Sequence, residues 1–253
     1  MQSSPGFALR LAPLLALIAV IAVNASANIL PINGLRTGEI SALYPTGFTP
    51  AGWVFRIWSL IYIGLLAFSI AALVGPAAIR RRAAEITPWF LLNAAANISW
   101  IFAWHYQHIG LSLVLTVLIL TPLIVITTKL RRRPRPGWGE RVLIDLPFSL
   151  YFGWATTAAL SNLANWFFDL QFWPLGLAMD EWAIVTVVIA TSVYLWVTTV
   201  TRDLVYGAVF LWVAAGIYLR PEGVVDSVQL AAATGGVMVA LAIVLAALRR
   251  RPA

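Results

Sequence analysis

Cysteine is absent from this chain, so disulfides, thiolate metal ligands and thiol nucleophiles are excluded. Histidine is nearly absent, at two residues, and no metal site is expected. Charge is scarce: 11% of residues are Asp, Glu, Lys or Arg, against about 25% in a soluble domain. No P-loop, nucleophile elbow or carboxylate pair within an apolar run occurs, so no catalytic constellation is legible and the chain reads as a non-enzyme. Long linkers, low-complexity tracts, a soluble domain and a visible inverted repeat are missing as well.

What is abundant is apolar. Of 253 residues, 61% are hydrophobic, and the mean hydropathy is +0.86. A core of this size cannot hide so much apolar side chain from water, whereas lipid accepts it. The lipid bilayer is therefore the first partner to expect. The net charge of +7 does not point to nucleic acid, because the basic residues sit in short clusters between apolar runs, as the positive-inside rule requires.

A helix needs about 20 apolar residues to cross a bilayer. Segments 8–30, 52–74, 87–106, 110–129, 143–167, 182–201, 204–219 and 227–248 answer to this, predicting an all-α polytopic transmembrane helix bundle of about eight spans. Arg202-Asp203 leaves only a tight turn between the sixth and seventh. With the N-terminus cytoplasmic, the inner segments hold Arg10, Arg80–Arg82, Lys129, Arg131–Arg133, Arg135, Arg141, Arg202 and Arg249–Arg251, which is 14 of the 17 basic residues. Asp169, Asp180 and Glu181 gather in one outer loop. The expected location is a bacterial inner membrane, with both termini cytoplasmic. A competing reading takes the start as a cleavable leader ending at Ala25-Ser26-Ala27, which would leave seven spans.

Two outer connections are long and punctuated by turn formers, Pro31–Ala51 and Asp169–Glu181. The first is long enough to fold back as a lid. The basic loop from Arg131 to Arg141 contains Pro134 and Pro136 and does not continue a helix. Intramembrane asparagines, Asn24, Asn28, Asn93, Asn97, Asn162 and Asn165, lie in the first five spans, and the last three have none. The chemistry is therefore expected within residues 1–167, with 168–253 a three-helix extension.

Helical spacing groups the polar and aromatic side chains. Phe55, Trp58 and Tyr62 form one stripe, Asn93, Asn97, Trp100 and Trp104 a second, and Trp154, Ala158, Asn162 and Asn165 a third. The topology brings most of these to the outer half of the bundle. Two readings stand. One is packing, with asparagines as interhelical hydrogen bonds and tryptophans as interface belts. The other is an aromatic-lined pocket for an apolar small molecule. Arg56, one turn inside the boundary, either snorkels or pairs with Glu39 or Asp169, since Asp145 lies near the inner end. His105 and His108 end the third span as polar caps or, as the alternative, as axial ligands to a haem-like group.

The stretch Phe48-Thr49-Pro50-Ala51-Gly52-Trp53-Val54-Phe55-Arg56-Ile57-Trp58-Ser59-Leu60-Ile61-Tyr62-Ile63-Gly64 resembles the W-x-P-P…F-x-x-V-W-x-x-L-Y-x-x-M-G pattern of the tryptophan-rich sensory protein/translocator protein family (TspO/MBR). Asn97-Ile98-Ser99-Trp100 is similar to its L-N-x-x-W, and Trp154, Ala158, Asn162 and Trp166 match its W-V-x-F-A-x-x-L-N-x-x-I-W. Pro50 stands alone where the family has tandem prolines, Pro147 comes early, and the last three spans have no counterpart in five-helix members. The resemblance implies a five-helix core, 1–167, that binds tetrapyrroles such as porphyrins, sterols or other flat apolar molecules, often as a homodimer. It implies a receptor or carrier that requires no cofactor but takes a porphyrin- or haem-like ligand. The candidate ligand-binding residues are Phe55, Trp58, Tyr62, Asn97, Trp100, Trp104, Trp154, Ala158 and Asn162. The alternatives are a secondary transporter and a structural subunit of a membrane complex.

Overall fold

Each apolar run becomes a helix, because a backbone surrounded by side chains that offer no hydrogen bonds satisfies its polar groups internally. The computed structural model describes residues 5–132, 137–220 and 225–248. Pro134, Pro136, Arg133, Arg135 and Arg249–Arg251, which entered the loop and charge arguments, lie outside the described residues, as do residues 1–4 of the leader reading. The helices are α1 (Phe7–Ile29), α2 (Thr37–Ala42), α3 (Ile57–Val74), α4 (Ala77–His105), α5 (Ile109–Arg131), α6 (Trp138–Glu140), α7 (Leu146–Asp169), α8 (Met179–Thr201), α9 (Leu204–Tyr218) and α10 (Asp226–Leu248). No strand occurs among the described residues. A π-helical turn, Arg141–Asp145, leads into α7.

Six helices among the described residues are long and apolar enough to cross a membrane, against the eight spans expected. The other two expected spans are helical but differ in kind. The fifth, α7, has 24 residues and is diluted by Thr156, Thr157, Asn162 and Asn165. The seventh, α9, is apolar but only 15 residues long. Several hydroxyls within the helices are satisfied on the preceding turn, as in Ser69 to the Leu65 carbonyl, Thr127 to Leu123 and Thr191 to Val187.

The chain forms two compact units, Met1–Ile40 with Ile57–Ala155, and Ser41–Arg56 with Thr156–Ala253. In the first, α4 packs on α5 and α1, and α1 on α3. The N-terminal helix is part of this packing, with Ala27 fully buried. Three phenylalanines, Phe68, Phe90 and Phe148, join α3, α4 and α7 through edge-to-face contacts at 4.8–5.8 Å. Gly64 lets α3 approach Pro147: a Cβ there would stand 3.1 Å from the proline ring.

In the second unit, α10 packs on α8 and α9. The α8–α9 connection is the tight turn expected. Arg202 takes a left-handed conformation (φ 54°) and Asp203 caps α9, accepting from the Tyr206 amide at 3.0 Å. The segment before α3 is clasped to α9. The Ala51 amide donates to the Gly216 carbonyl, Trp212 Nε1 to Val54 O, and Arg220 to Thr49 O. Trp53 meets Trp212 edge-on at 4.6 Å.

Candidate functional site

An amide or phenol facing hydrocarbon is costly unless it finds a partner. In the first unit these groups find one another. Asn24 on α1 donates to Asn97 Oδ1 on α4 at 2.9 Å, and Asn97 Nδ2 donates to the Tyr151 hydroxyl on α7 at 3.3 Å. One turn earlier on α4, Asn93 donates to the Ile119 carbonyl of α5 at 2.8 Å. Asn97 and Tyr151 are buried, and the chain of bonds ties α1, α4 and α7 together.

Tyr151 carries the polar chain into an aromatic group. Its ring lies 5.8 Å from Trp58, which also meets Trp154 at 6.1 Å, both edge-to-face. Trp58 stacks on Tyr62 one turn along α3, at 5.4 Å with planes 25° apart. Tyr151 and Trp154 are buried, while Trp58 and Tyr62 are half-buried. The result is an aromatic cluster of two buried and two half-buried rings, backed by hydrogen-bonded amides.

Trp100 and Trp104 form a second stacked pair on α4, 5.5 Å apart and 14° from parallel. Trp104 is buried and donates from Nε1 to the Thr37 carbonyl at 3.3 Å. Beside it His105, fully buried, has both ring nitrogens engaged. Nδ1 lies 3.1 Å from the Ile32 carbonyl, which only accepts, so Nδ1 carries the proton. Nε2 pairs with the Thr37 hydroxyl at 3.0 Å. Asn33 adds a bond to the His105 carbonyl at 3.1 Å. His105 fastens the first part of the Pro31–Ala51 connection, and neither ring nitrogen is left for an iron. His108 is exposed and starts α5.

The remaining expected site residues, Phe55, Ala158 and Asn162, belong to the second unit. Phe55 is 40% exposed. Ala158 is half-buried, and the buried Asn162 donates to the Ala158 carbonyl of its own helix at 3.0 Å. Arg56 is exposed and makes no ion pair with Asp169 among the described residues. Asp145 pairs instead with Arg82, at 2.5 Å.

Three features escaped the sequence reading. Tyr151 is one, although it stands one turn before Trp154 on the same stripe. The second is a small cleft lined by Phe48, Phe167, Trp173, Met179 and Trp182 of the second unit. Its signal was the aromatic density between Trp166 and Trp182. The third is a pair of buried tyrosines in the last three helices, with rings 4.5 Å apart. Tyr194 bonds the Thr157 hydroxyl at 2.7 Å and Tyr206 the Thr156 hydroxyl at 3.2 Å.

Residues 10–245 match a family model described as TSPO-like protein. No curated protein and no solved structure matches the chain.

Proposed function

We propose, from the premise that this chain belongs to the TSPO-like protein family, that it binds a flat apolar small molecule of tetrapyrrole or sterol type against the Trp58–Tyr62–Tyr151–Trp154 wall. Its helices and its family make it a multi-pass membrane protein of receptor or transporter type. The observation that carries the finer reading is the partial exposure of Trp58 and Tyr62 on a backing of buried Tyr151 and Trp154. A planar ligand laid on those two rings gains dispersion and aromatic contact without displacing packed side chains.

The amides act indirectly in this reading. Asn97 spends its carbonyl on Asn24 and its amide on Tyr151, so it holds the Tyr151 ring in place. The distribution of basic residues along the sequence favours cytoplasmic termini, and a bacterial inner membrane and a homodimer are part of the same proposal. The test is quenching of tryptophan fluorescence by a porphyrin added to purified protein in detergent. Trp58→Ala and Tyr62→Ala are each expected to weaken binding about tenfold. Unchanged affinity in both variants removes the site.

A further inference from the structure

One end of the first unit collects the start of α1, the end of α3, the starts of α4 and α7 and the end of α5. Arg10 Nη1 donates to the Leu73 carbonyl at 3.3 Å, joining α1 to the end of α3. Arg82 donates to the Leu130 carbonyl of α5 at 3.2 Å and pairs with Asp145 just before α7. The described residues at this end include eight basic side chains, from Arg10 to Arg141, and three acidic ones, Glu85, Glu140 and Asp145.

The positive-inside rule accounts for the sign of this charge but not for its posture. A snorkelling arginine buries its stem and keeps its head in water. Here the Nε groups of Arg10 and Arg80, and both Nε and Nη1 of Arg82, are buried with no acceptor among the described residues. Arg82 is 1% exposed and too deep to meet a ligand directly, so it adds its charge from within. Arg10 and Arg80 are half-buried: their Nε atoms are closed off, and the part of each side chain left at the surface is what a ligand meets. An oxyanion is the group that such donors lack.

The surroundings say what carries the oxyanion. Arg10 lies over the Phe7 ring at 5.8 Å, and Phe7 is 62% exposed. Val74, next to the carbonyl that Arg10 holds, is 70% exposed. Cationic donors beside open apolar side chains suit an amphiphile, with its phosphate on the guanidinium groups and its chains along α1 and α3.

We propose that Arg10 and Arg80 bind the phosphate of an anionic phospholipid headgroup at this end of the bundle. Basic clusters at a membrane surface recognise such headgroups. The test is native mass spectrometry of the full chain in detergent, with phosphatidylglycerol or phosphatidylcholine added. The wild type is expected to prefer phosphatidylglycerol about 30-fold. The Arg10→Ala/Arg80→Ala variant should lose that preference, whereas Arg36→Ala/Arg56→Ala, which removes the same charge from two exposed positions, should keep it. Porphyrin quenching at wild-type strength in the first variant checks that it has folded and separates this site from the aromatic wall. Equal affinity of the wild type for the two lipids overturns the proposal, as does an undiminished preference in Arg10→Ala/Arg80→Ala or an equal loss in the control. Displacement of phosphatidylglycerol by millimolar inorganic phosphate overturns the lipid assignment in favour of a free-anion site.

Discussion

Arg82 and Asp145 stand 63 residues apart in the chain and 2.5 Å apart in space, and their burial is unequal. The Arg82 side chain is 1% exposed and that of Asp145 29%. Removing the acid strands a fully buried cation, whereas removing the base leaves a carboxylate that water still reaches. Asp145→Ala is therefore expected to cost about 3 kcal/mol or more, Arg82→Met less, and the double variant Arg82→Met/Asp145→Leu least. Unfolding of the three proteins in detergent gives the order. Equal costs for the two single variants refute the asymmetry.

That pair also shows what the sequence withheld. In the run Arg80-Arg81-Arg82 composition does not distinguish one arginine from the next. Helical phase does: the buried stripe of α4 runs back from Asn97 and Asn93 through Phe90 and Ile86 to Arg82 and Ile79. The stripe was legible, but its partner, on an element beyond the next helix, was not. The same limit applies to the aromatic wall. Spacing put Trp58 and Tyr62 on one face of α3, yet their meeting with Tyr151 and Trp154 depends on how α3 and α7 pack. The last three helices read as plain Ala, Val and Leu because Tyr194 and Tyr206 are single residues without a stripe, and their hydroxyl partners sit on α7. Hydropathy, by contrast, is local, so every expected span is a helix.

Tyr151 allows the polar and aromatic parts of the site to be separated. Tyr151→Phe keeps the ring against Trp58 but leaves the Asn97 amide without its acceptor, at a cost of about 1 kcal/mol. Porphyrin affinity should stay within about twofold if the wall binds through ring surface. Loss of binding in Tyr151→Phe to the level of Trp58→Ala would instead make the hydroxyl a ligand contact. Fluorescence titration and thermal unfolding of the same samples decide between the two.

His105 clasps the segment that contains Arg36, and Arg36 is a trypsin site in an exposed stretch. His105→Ala removes the two ring hydrogen bonds, each worth about 1 kcal/mol. Cleavage after Arg36 should then rise about 30-fold, since proteolysis follows the population of the open loop. Thr37→Val, which loses one of the two bonds, should give a smaller rise. A cleavage rate in His105→Ala equal to that of the wild type would mean that the loop is held elsewhere.

Close helix approach in the second unit rests on glycines that are not equivalent. A Cβ added to Gly207 would lie 2.8 Å from Thr198 Oγ1 and 2.9 Å from Ile243 Cγ1, and Thr198 is fully buried. At Gly236, by contrast, the nearest atom would be the Ala214 Cβ at an ordinary 3.5 Å. Gly207→Ala is expected to destabilise the protein by about 1–3 kcal/mol through overpacking. Gly236→Ala should be neutral or slightly stabilising, because alanine is the better helix former. Thermal unfolding of the two variants side by side checks the packing of α9 against α8 and α10. Comparable melting temperatures for both would show that α9 shifts freely enough to absorb a methyl group.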